Sequence, residues 1–511
     1  MPAPASSGSS LRLRVLVCVA VSYCTLVAAL SGPGFASFDT AYQWWMARHA
    51  TVSSLWPPSY VVTFGWFDVF SPYIYAPTVW FSINLTLVSA ASVVVAYFCG
   101  RTVIGAVAVF LALAASPVSW LLLPHIWSDV ALVAVLLFSV ACLLASVVCD
   151  ANKRARTALL CVSLICLFAA VGIRHNAVLA VLPLATLWCI TSLRPFKARN
   201  SGTRRVALAV LGASLMTCIF VVVHTGLSHV LATERSDTWA ITAIWDLQAM
   251  SIASDQVLIP TLISPNTDLA DLRASYDPSN AVALYTRSKA TWANATTGLS
   301  AQQSTALATA WWKAVRAAPF AYLAHRSGVI ALMLGIEKRD TSTASPIAAS
   351  TRVEPVQVSF RDNPTRAFWW DGGVNGWRRI AGYITNSQWG TPIGTLMMSL
   401  LTVAIALPQR ALRRRRNVGA DCEKSGTSCA TERMSRHQPA LVPDTWPHAA
   451  ACLASGALYF AGLFIAVPTA DMRYAFWLVV AAVLTAVFIC TMRSPAAAVG
   501  ESAAGVTSPV S

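Results

Sequence analysis

Charged residues are scarce along this chain of 511 residues: only 12 % are Asp, Glu, Lys or Arg, whereas 56 % are hydrophobic. A soluble globular protein carries about twice that share of charge, so this composition does not fit a soluble fold. Acidic residues are the scarcer kind, with 22 against 37 basic residues and a net charge of +15. The basic residues lie mainly between apolar runs, where they set membrane topology. We therefore expect a membrane protein without a nucleic-acid partner.

Cysteine is missing from the long polar stretch 228–385, and all but two of the 13 cysteines lie in or beside apolar runs. No CxxC pair is matched by a second one, so the sequence predicts neither a disulfide framework nor a zinc site. The sequence also has no P-loop and no GxGxxG placed after a strand. A soluble nucleotide is therefore a poor candidate for the donor of any group transfer.

What the chain does have is a series of apolar runs, about ten of them long enough to cross a bilayer. They predict an all-α polytopic membrane protein with one large, mostly helical external domain. The fifth and sixth runs are short and are separated by a tight turn. The predicted spans are 13–30, 74–98, 102–122, 129–148, 158–171, 176–192, 206–223, 388–407, 448–467 and 475–490.

The distribution of Lys and Arg predicts the orientation. If the N-terminus is cytoplasmic, the short external loops carry only Arg48, Arg174 and Arg473, and the remaining basic loops fall inside. Both termini are then cytoplasmic. The first run is expected to be an uncleaved anchor, with a cleaved signal peptide as the alternative.

This topology divides the chain into three parts and a tail. Residues 1–226 form an N-terminal transmembrane bundle, 227–387 the external domain, and 388–493 the C-terminal spans with a basic cytoplasmic linker at 408–447; the tail 494–511 is expected to be disordered. The apolar segment 319–335 is expected to be an interfacial or re-entrant helix, with His325 and Arg326 near the lipid headgroups.

Ionisable residues gather in the external loops, at or close to helix ends. Each has an ordinary explanation on its own: Asp129 suits the start of a helix, and Arg473 and Tyr474 suit interfacial anchors. Together they predict a cleft at the external face, because ionisable groups at membrane depth are functional candidates. Carboxylates there can act as a base or hold a divalent cation, and cations can bind phosphate. The residues are Asp39, His125, Asp129, Arg174, His175, Asp246, Asp471, Arg473 and Tyr474.

Four short motifs carry a resemblance to a known family. The first external loop has the form PG…D…Q, followed by two prolines, and the other three are short groups near helix ends. The layout resembles the GT-C class of polytopic glycosyltransferases, which use polyprenyl-phosphate sugars at the external face. The motifs are Pro33-Gly34, Asp39 and Gln43 with Trp56-Pro57-Pro58, then Trp127-Ser128-Asp129, Arg174-His175-Asn176 and Asp471-Met472-Arg473-Tyr474.

The resemblance implies roles for these residues. Asp39 is then the catalytic carboxylate, as base or metal holder, with Asp129 as its catalytic partner in the same cleft. The implied substrate-binding residues, with the lipid phosphate foremost, are His125, Arg174, His175, Asp471, Arg473 and Tyr474. No cofactor is certain; a divalent cation (Mg²⁺ or Mn²⁺), where one is used, would be held by Asp39 and Asp129.

The resemblance also implies the setting: a bacterial inner membrane, with a polyprenyl-phosphate-linked sugar as donor, an envelope glycan or lipid as acceptor and membrane lipids as further partners. Two alternatives stay open. A lipid-linked glycan flippase or other transporter would place polar residues through the full thickness of the spans. An O-antigen polymerase-like protein would use arginines in two large external loops.

Overall fold

The computed structural model describes residues 7–71, 73–149, 152–193, 202–292, 298–337, 360–364, 367–387, 390–424 and 445–491. Within these ranges the chain is helical and has no strand, only three isolated β-bridges. The prediction of an all-α polytopic membrane protein is confirmed.

The helices follow one another with short connections. In the N-terminal part they are α1 (Ser7–Ser31), α2 (Phe38–Arg48), α3 (Pro58–Asp68), α4 (Ala76–Cys99), α5 (Val103–Ala114), α6 (Pro117–Leu122), α7 (Ser128–Val148), α8 (Lys153–Ile173), α9 (Ala177–Ser192) and α10 (Gly202–Leu231). They continue with α11 (Thr238–Ser254), α12 (Leu269–Ser275), α13 (Val282–Arg287), α14 (Ala301–Ala317), α15 (Pro319–Leu334), α16 (Asp371–Asn386), α17 (Pro392–Lys424), α18 (Trp446–Ala466), a 3₁₀ turn (Met472–Ala475) and α19 (Phe476–Thr491).

Seven helices of the described residues are long and apolar enough to cross a membrane, and the bent pair α14–α15 is an eighth candidate. Three shorter apolar helices are α5, α9 and the first part of α17. Together these cover all ten predicted runs, but the third run is not one continuous helix. It breaks between α5 and α6, where Ser116 accepts a hydrogen bond from the Ser119 N–H and Pro117 occupies the first helical position.

Helix α7 lies at the centre of the bundle. Its residues are buried along nearly their whole length, and it packs against α4, α8, α9 and α19. A helix that is apolar on all sides is stable only when protein or lipid surrounds it. The first turn of α7 carries Asp129, so this carboxylate lies at one end of the most deeply buried candidate span.

His325 and Arg326 lie inside the protein and not on an exposed face of α15, while their depth relative to the lipid headgroups stays a prediction. Helices α14 and α15 meet at an angle of 101°, and α15 packs against α11 and α18. Both side chains are consequently buried, and both reach Asp246 on α11. Burial of an arginine requires such a partner, which the apolar pattern of the segment could not reveal.

Two expectations about the C-terminal part lie largely outside the described residues. Helix α17 continues to Lys424, so the first residues of the predicted linker 408–447 are helical. Residues 425–444 of that linker and the tail 494–511 are not among the described residues.

Candidate functional site

Three carboxylates and two arginines meet at one end of the bundle, and we call them the charged cluster: Asp39, Asp129, Arg174, Asp471 and Arg473. Asp39 and Asp129 lie in the first turns of α2 and α7, where a negative charge is favoured by the helix dipole. Arg174 directly follows α8. The 3₁₀ turn supplies the rest, because the Asp471 side chain accepts a hydrogen bond from the Arg473 N–H at 3.0 Å.

Arg473 contacts all three carboxylates of the charged cluster. Its Nη1 lies 2.9 Å from Asp39 Oδ2, and its Nε lies 3.4 Å from Asp471 Oδ2 and 3.8 Å from Asp129 Oδ2. Only arginine offers several donors in a fixed plane, so one side chain can face carboxylates from three directions. The guanidinium thus connects parts of the chain that are far apart in sequence.

Arg174 is the second arginine of the charged cluster. Its Nη1 donates to Asp129 Oδ2 and to Ser128 Oγ, both at 3.2 Å. Although burial alone lowers the pKa of Arg174, the Asp129 carboxylate beside it holds the pKa above its usual value. The guanidinium therefore keeps its charge in this enclosed position.

Aromatic rings pack against both guanidinium groups. The ring centre of Tyr474 lies 5.0 Å from the Arg174 guanidinium and 5.2 Å from that of Arg473. The Trp127 ring also contacts Arg473, at 5.1 Å. Tyr474 is buried and the Arg473 side chain is only 13 % exposed, so both are largely enclosed by protein. Cation–π contacts of this kind strengthen when water is excluded.

The three carboxylates differ in access to solvent. The exposed fraction of the side chain is 33 % for Asp39, 14 % for Asp471 and 2 % for Asp129. A substrate entering from solvent therefore meets Asp39 first, whereas Asp129 lies beneath the two arginines. The pair that the sequence predicted as equal catalytic partners is unequal in position.

Asp129 keeps one carboxylate oxygen uncommitted. Within the described residues, Asp129 Oδ1 and the hydroxyl of Tyr60 have no hydrogen-bond partner, although both are buried. Burial, and after it the charge of Asp129, raise the pKa of Tyr60 well above its usual value, so the hydroxyl stays protonated. Buried polar atoms without partners are uncommon and are expected where a polar ligand binds.

The PG motif shapes the loop before Asp39. Gly34 has a φ of +104°, and a Cβ at this position would lie 2.8 Å from Ile126. The backbone of Phe35 pairs with Pro124 and Ile126 on both sides of His125, which brings the first loop against the second. Glycine is thus required here because it tolerates the conformation and the close approach.

The two predicted histidines lie at the margin of the cluster. His125 is buried and stacks on Trp127 at 4.1 Å between ring centres, so it supports the ring that faces Arg473. His175 is exposed and hydrogen-bonds the backbone of Ser54. The structure thus brings together Asp39, Asp129, Arg174, Asp471, Arg473 and Tyr474, and it places the two histidines beside them.

Asp246 belongs to a separate buried centre. It lies 2.7 Å from Arg326 Nη2 and 3.4 Å from His325 Nε2, and its Oδ2 accepts a hydrogen bond from Trp311 Nε1 at 2.9 Å. We call these four residues the Asp246 centre. Arg326 also connects this centre to the segment before the charged cluster, because its Nη1 donates to the Val467 carbonyl at 2.8 Å.

The segment before Asp471 is held by residues of the region 227–387, a feature that the sequence pattern did not predict. The Ala470 N–H donates to the Ser279 carbonyl at 2.8 Å, and the Ala281 N–H donates to the Pro468 carbonyl at 3.0 Å. Together with the bond from Arg326, these fix residues 467–470 directly before the charged cluster. These contacts are long-range backbone pairs, for which no single residue type gives a signal.

A second segment of the region 227–387 covers α2. Asn363 Nδ2 donates to the Ala41 carbonyl at 2.8 Å, and Asp362 lies 3.1 Å from His49 Nε2. The Phe360 ring contacts Phe38, next to Asp39. Residues 360–364 therefore cover helix α2, whose first turn carries Asp39.

The cluster does not fit a divalent cation held by Asp39 and Asp129. Arg473 lies between these two carboxylates, where the cation would have to bind. Across the described ranges, no group of three or more His, Cys, Asp and Glu side chains is arranged to hold a metal ion. A hard cation such as Mg²⁺ needs several oxygen ligands free of competing cations.

Neither a protein-family model, nor a curated protein, nor a solved structure matches this chain.

Proposed function

We propose that the chain is a membrane glycosyltransferase, which transfers a sugar from a polyprenyl-phosphate donor to an envelope glycan or lipid acceptor. The observation that supports this most directly is the charged cluster, in which an accessible carboxylate, Asp39, contacts an arginine whose other partners are enclosed. A base beside a phosphate-binding cation is the combination that sugar transfer from a phosphate requires.

Asp39 is the proposed base. In the reaction, an acceptor hydroxyl gives its proton to the Asp39 carboxylate while its oxygen attacks the anomeric carbon of the donor sugar. The bond between that carbon and the phosphate oxygen breaks, and the lipid phosphate leaves with the bonding electron pair. The greater exposure of Asp39 supports this assignment over Asp129, because the acceptor must reach the base.

Arg473 and Arg174 are proposed to hold the lipid phosphate. The donor phosphate replaces Asp39 on Arg473 Nη1, so that donor binding both anchors the phosphate and frees the base. Charge-assisted bonds from guanidinium to phosphate are short and strong, and they stabilise the charge that develops on the leaving group. Tyr474 packs against both arginines and orients them.

Asp129 is then a positioning residue. Its Oδ2 holds Arg174 and faces Arg473, and it is almost fully buried. His125 supports Trp127, and Asp471 shapes the turn that carries Arg473. Of the predicted substrate-binding residues, His175 is the one that lies furthest toward solvent.

The charged cluster is proposed to face the outside of a bacterial inner membrane, with both termini in the cytoplasm. The excess of Lys and Arg in the loops at the other ends of the spans supports this orientation. The external domain would close over the cluster, and its contacts at residues 360–364 and 467–470 support that arrangement.

Transport is the less favoured alternative. Between Val130 and Val148, the central helix α7 carries no charged side chain. A path for a charged lipid-linked glycan needs polar groups along the spans, whereas the charged cluster lies at one end. An O-antigen polymerase-like activity shares the external face and the lipid-linked sugar, and the acceptor distinguishes it.

The test is glycan mass spectrometry of the envelope from cells with and without the gene. We expect one glycan to lose a single sugar mass on deletion and to regain it on complementation. If cells without the gene instead accumulate whole, unchanged lipid-linked glycans at the inner face, the protein is a transporter and the proposal is wrong. Loss of polymer length without loss of a sugar type would indicate a polymerase.

A further inference from the structure

An open groove of about 980 Å³ lies between α11 and α14 on the external domain. Trp239 forms one side of it, and Trp311, Trp312, Lys313 and Arg316 form the other. None of the described residues that line the groove is acidic. The groove therefore presents two cations and indole rings to its surroundings, without an opposing negative charge.

The aromatic side chains of the groove are unusually exposed for their size. Trp312 is 50 % exposed and Trp239 is 40 % exposed, and the Arg316 guanidinium lies 4.9 Å from the Trp312 ring centre. Indole rings combined with Lys or Arg are enriched where protein meets the lipid headgroups. Such a combination pairs an apolar surface for the glycerol and upper acyl region with charge for the phosphate.

The surroundings of the groove place it at the level of a bilayer surface. Trp239 follows soon after the end of α10, a candidate span whose last turn exposes Val230. On α15, directly after the bend, Phe320 is 84 % exposed and Leu323 is also exposed. Large apolar side chains that are exposed together mark a contact with lipid or protein.

The back wall of the groove is firmly held. Trp311 belongs to the Asp246 centre, since its Nε1 donates to Asp246 Oδ2. That centre is anchored to the Val467 carbonyl through Arg326. A wall fixed by buried polar contacts loses little conformational freedom on binding a ligand, so the groove is preorganised.

We propose that this groove, through Lys313, Arg316 and the indole rings of Trp239 and Trp312, binds the phosphate headgroup of an anionic bilayer lipid. The site is distinct from the charged cluster and goes beyond the proposed sugar transfer. The positive charge selects anionic over zwitterionic headgroups, and the indoles select a lipid over a free phosphate ion.

Native mass spectrometry of the purified full-length protein in detergent tests this proposal. The probes are dioctanoylphosphatidylglycerol, dioctanoylphosphatidylcholine and inorganic phosphate. We expect the phosphatidylglycerol to bind, and the double variant K313Q/R316Q to lose about tenfold or more in affinity, because each surface cation attracts an anionic lipid. Trp312→Ala should also weaken binding, while neither phosphatidylcholine nor phosphate binds comparably.

The matched control is R273Q/K289Q, which removes two exposed cations elsewhere on the external domain and should bind as the parent does. Equal phosphatidylglycerol affinity of K313Q/R316Q and the parent would overturn the proposal. So would equal affinity for phosphatidylcholine, or binding of a glucuronate-containing oligosaccharide in place of the lipid, which would identify an acidic glycan site. Because no sugar donor is present, the outcome is independent of whether the protein transfers sugar.

Discussion

At the scale of single residues, the charged cluster depends on how one arginine is shared among carboxylates. Asp39, Asp129, Arg174 and Arg473 could be identified as candidates from the sequence, because ionisable groups beside spans are rare. Their pairing could not, since it depends on the tertiary fold, and Arg473 lies more than three hundred positions from both Asp39 and Asp129. Trp127 belongs to the motif Trp127-Ser128-Asp129, but only the structure shows that its ring packs against Arg473.

Arg473→Lys should reduce sugar transfer by about 10² while leaving the protein folded, because lysine keeps the charge but loses the planar set of donors. Incorporation of sugar into the envelope glycan, measured per molecule of membrane-inserted protein, checks this. The control is Arg273→Lys, which lies at an exposed pair with Asp255. Full activity of the Arg473→Lys protein would remove Arg473 from the proposed phosphate site.

Gly34→Ala should destabilise the protein by about 1–3 kcal/mol, because the residue has a positive φ and a methyl group would meet Ile126. Gly226→Ala is the matched control, since a Cβ there has no atom of the described residues within 4 Å and alanine favours the helix. Thermal unfolding in detergent compares the two. A Gly34→Ala protein as stable as the Gly226→Ala protein contradicts the proposed close approach of the two loops.

At the scale of elements, each predicted run contains an apolar helix, of which seven are long enough to span, but the runs did not reveal two features of the fold. The break between α5 and α6 follows from local capping at Ser116, a signal that the sequence does contain. The burial of the α15 face that carries Arg326 goes with the contact between Arg326 and Asp246, which depends on the tertiary arrangement of α11. The hydrophobic periodicity of one segment cannot reveal a partner on another helix.

Arg326→Met should cost about 3–5 kcal/mol, because it leaves Asp246 charged and buried beside His325 without its main counter-ion. The double variant Asp246→Leu/Arg326→Met should recover part of the loss, since it removes both charges together. Unfolding midpoints in detergent give both values. If the single variant is as stable as the parent, the Asp246 centre does not hold α15 in place.

At the scale of the whole molecule, residues of the region 227–387 contact the apolar helices and their connections where the charged cluster lies. Residues 360–364 cover α2, and the pairs with Ser279 and Ala281 hold the segment before Asp471. The class of protein could be predicted from composition alone. These long-range contacts could be found only in the tertiary structure. They make the cluster a site enclosed on several sides, which solvent reaches mainly at Asp39.

The orientation has its own test in reporter fusions. A green fluorescent protein fused to the C-terminus should fluoresce, and an alkaline phosphatase inserted after Asp255 should be active, because the external domain faces outward in the proposed topology. The insertion point is an exposed loop, so the fold should tolerate it. An inactive phosphatase in a protein that still inserts would reverse the proposed orientation.

The most direct test of the central claim is the envelope glycan mass of a gene-deleted strain complemented with Asp39→Asn. This change keeps the shape of the side chain but removes the base, so the sugar added by the parent protein should be missing. Asp255→Asn is the matched control, because Asp255 is exposed and has a φ of +56°, which asparagine also tolerates, and it should restore the sugar fully. Full sugar addition by the Asp39→Asn protein, at normal expression, would contradict the account.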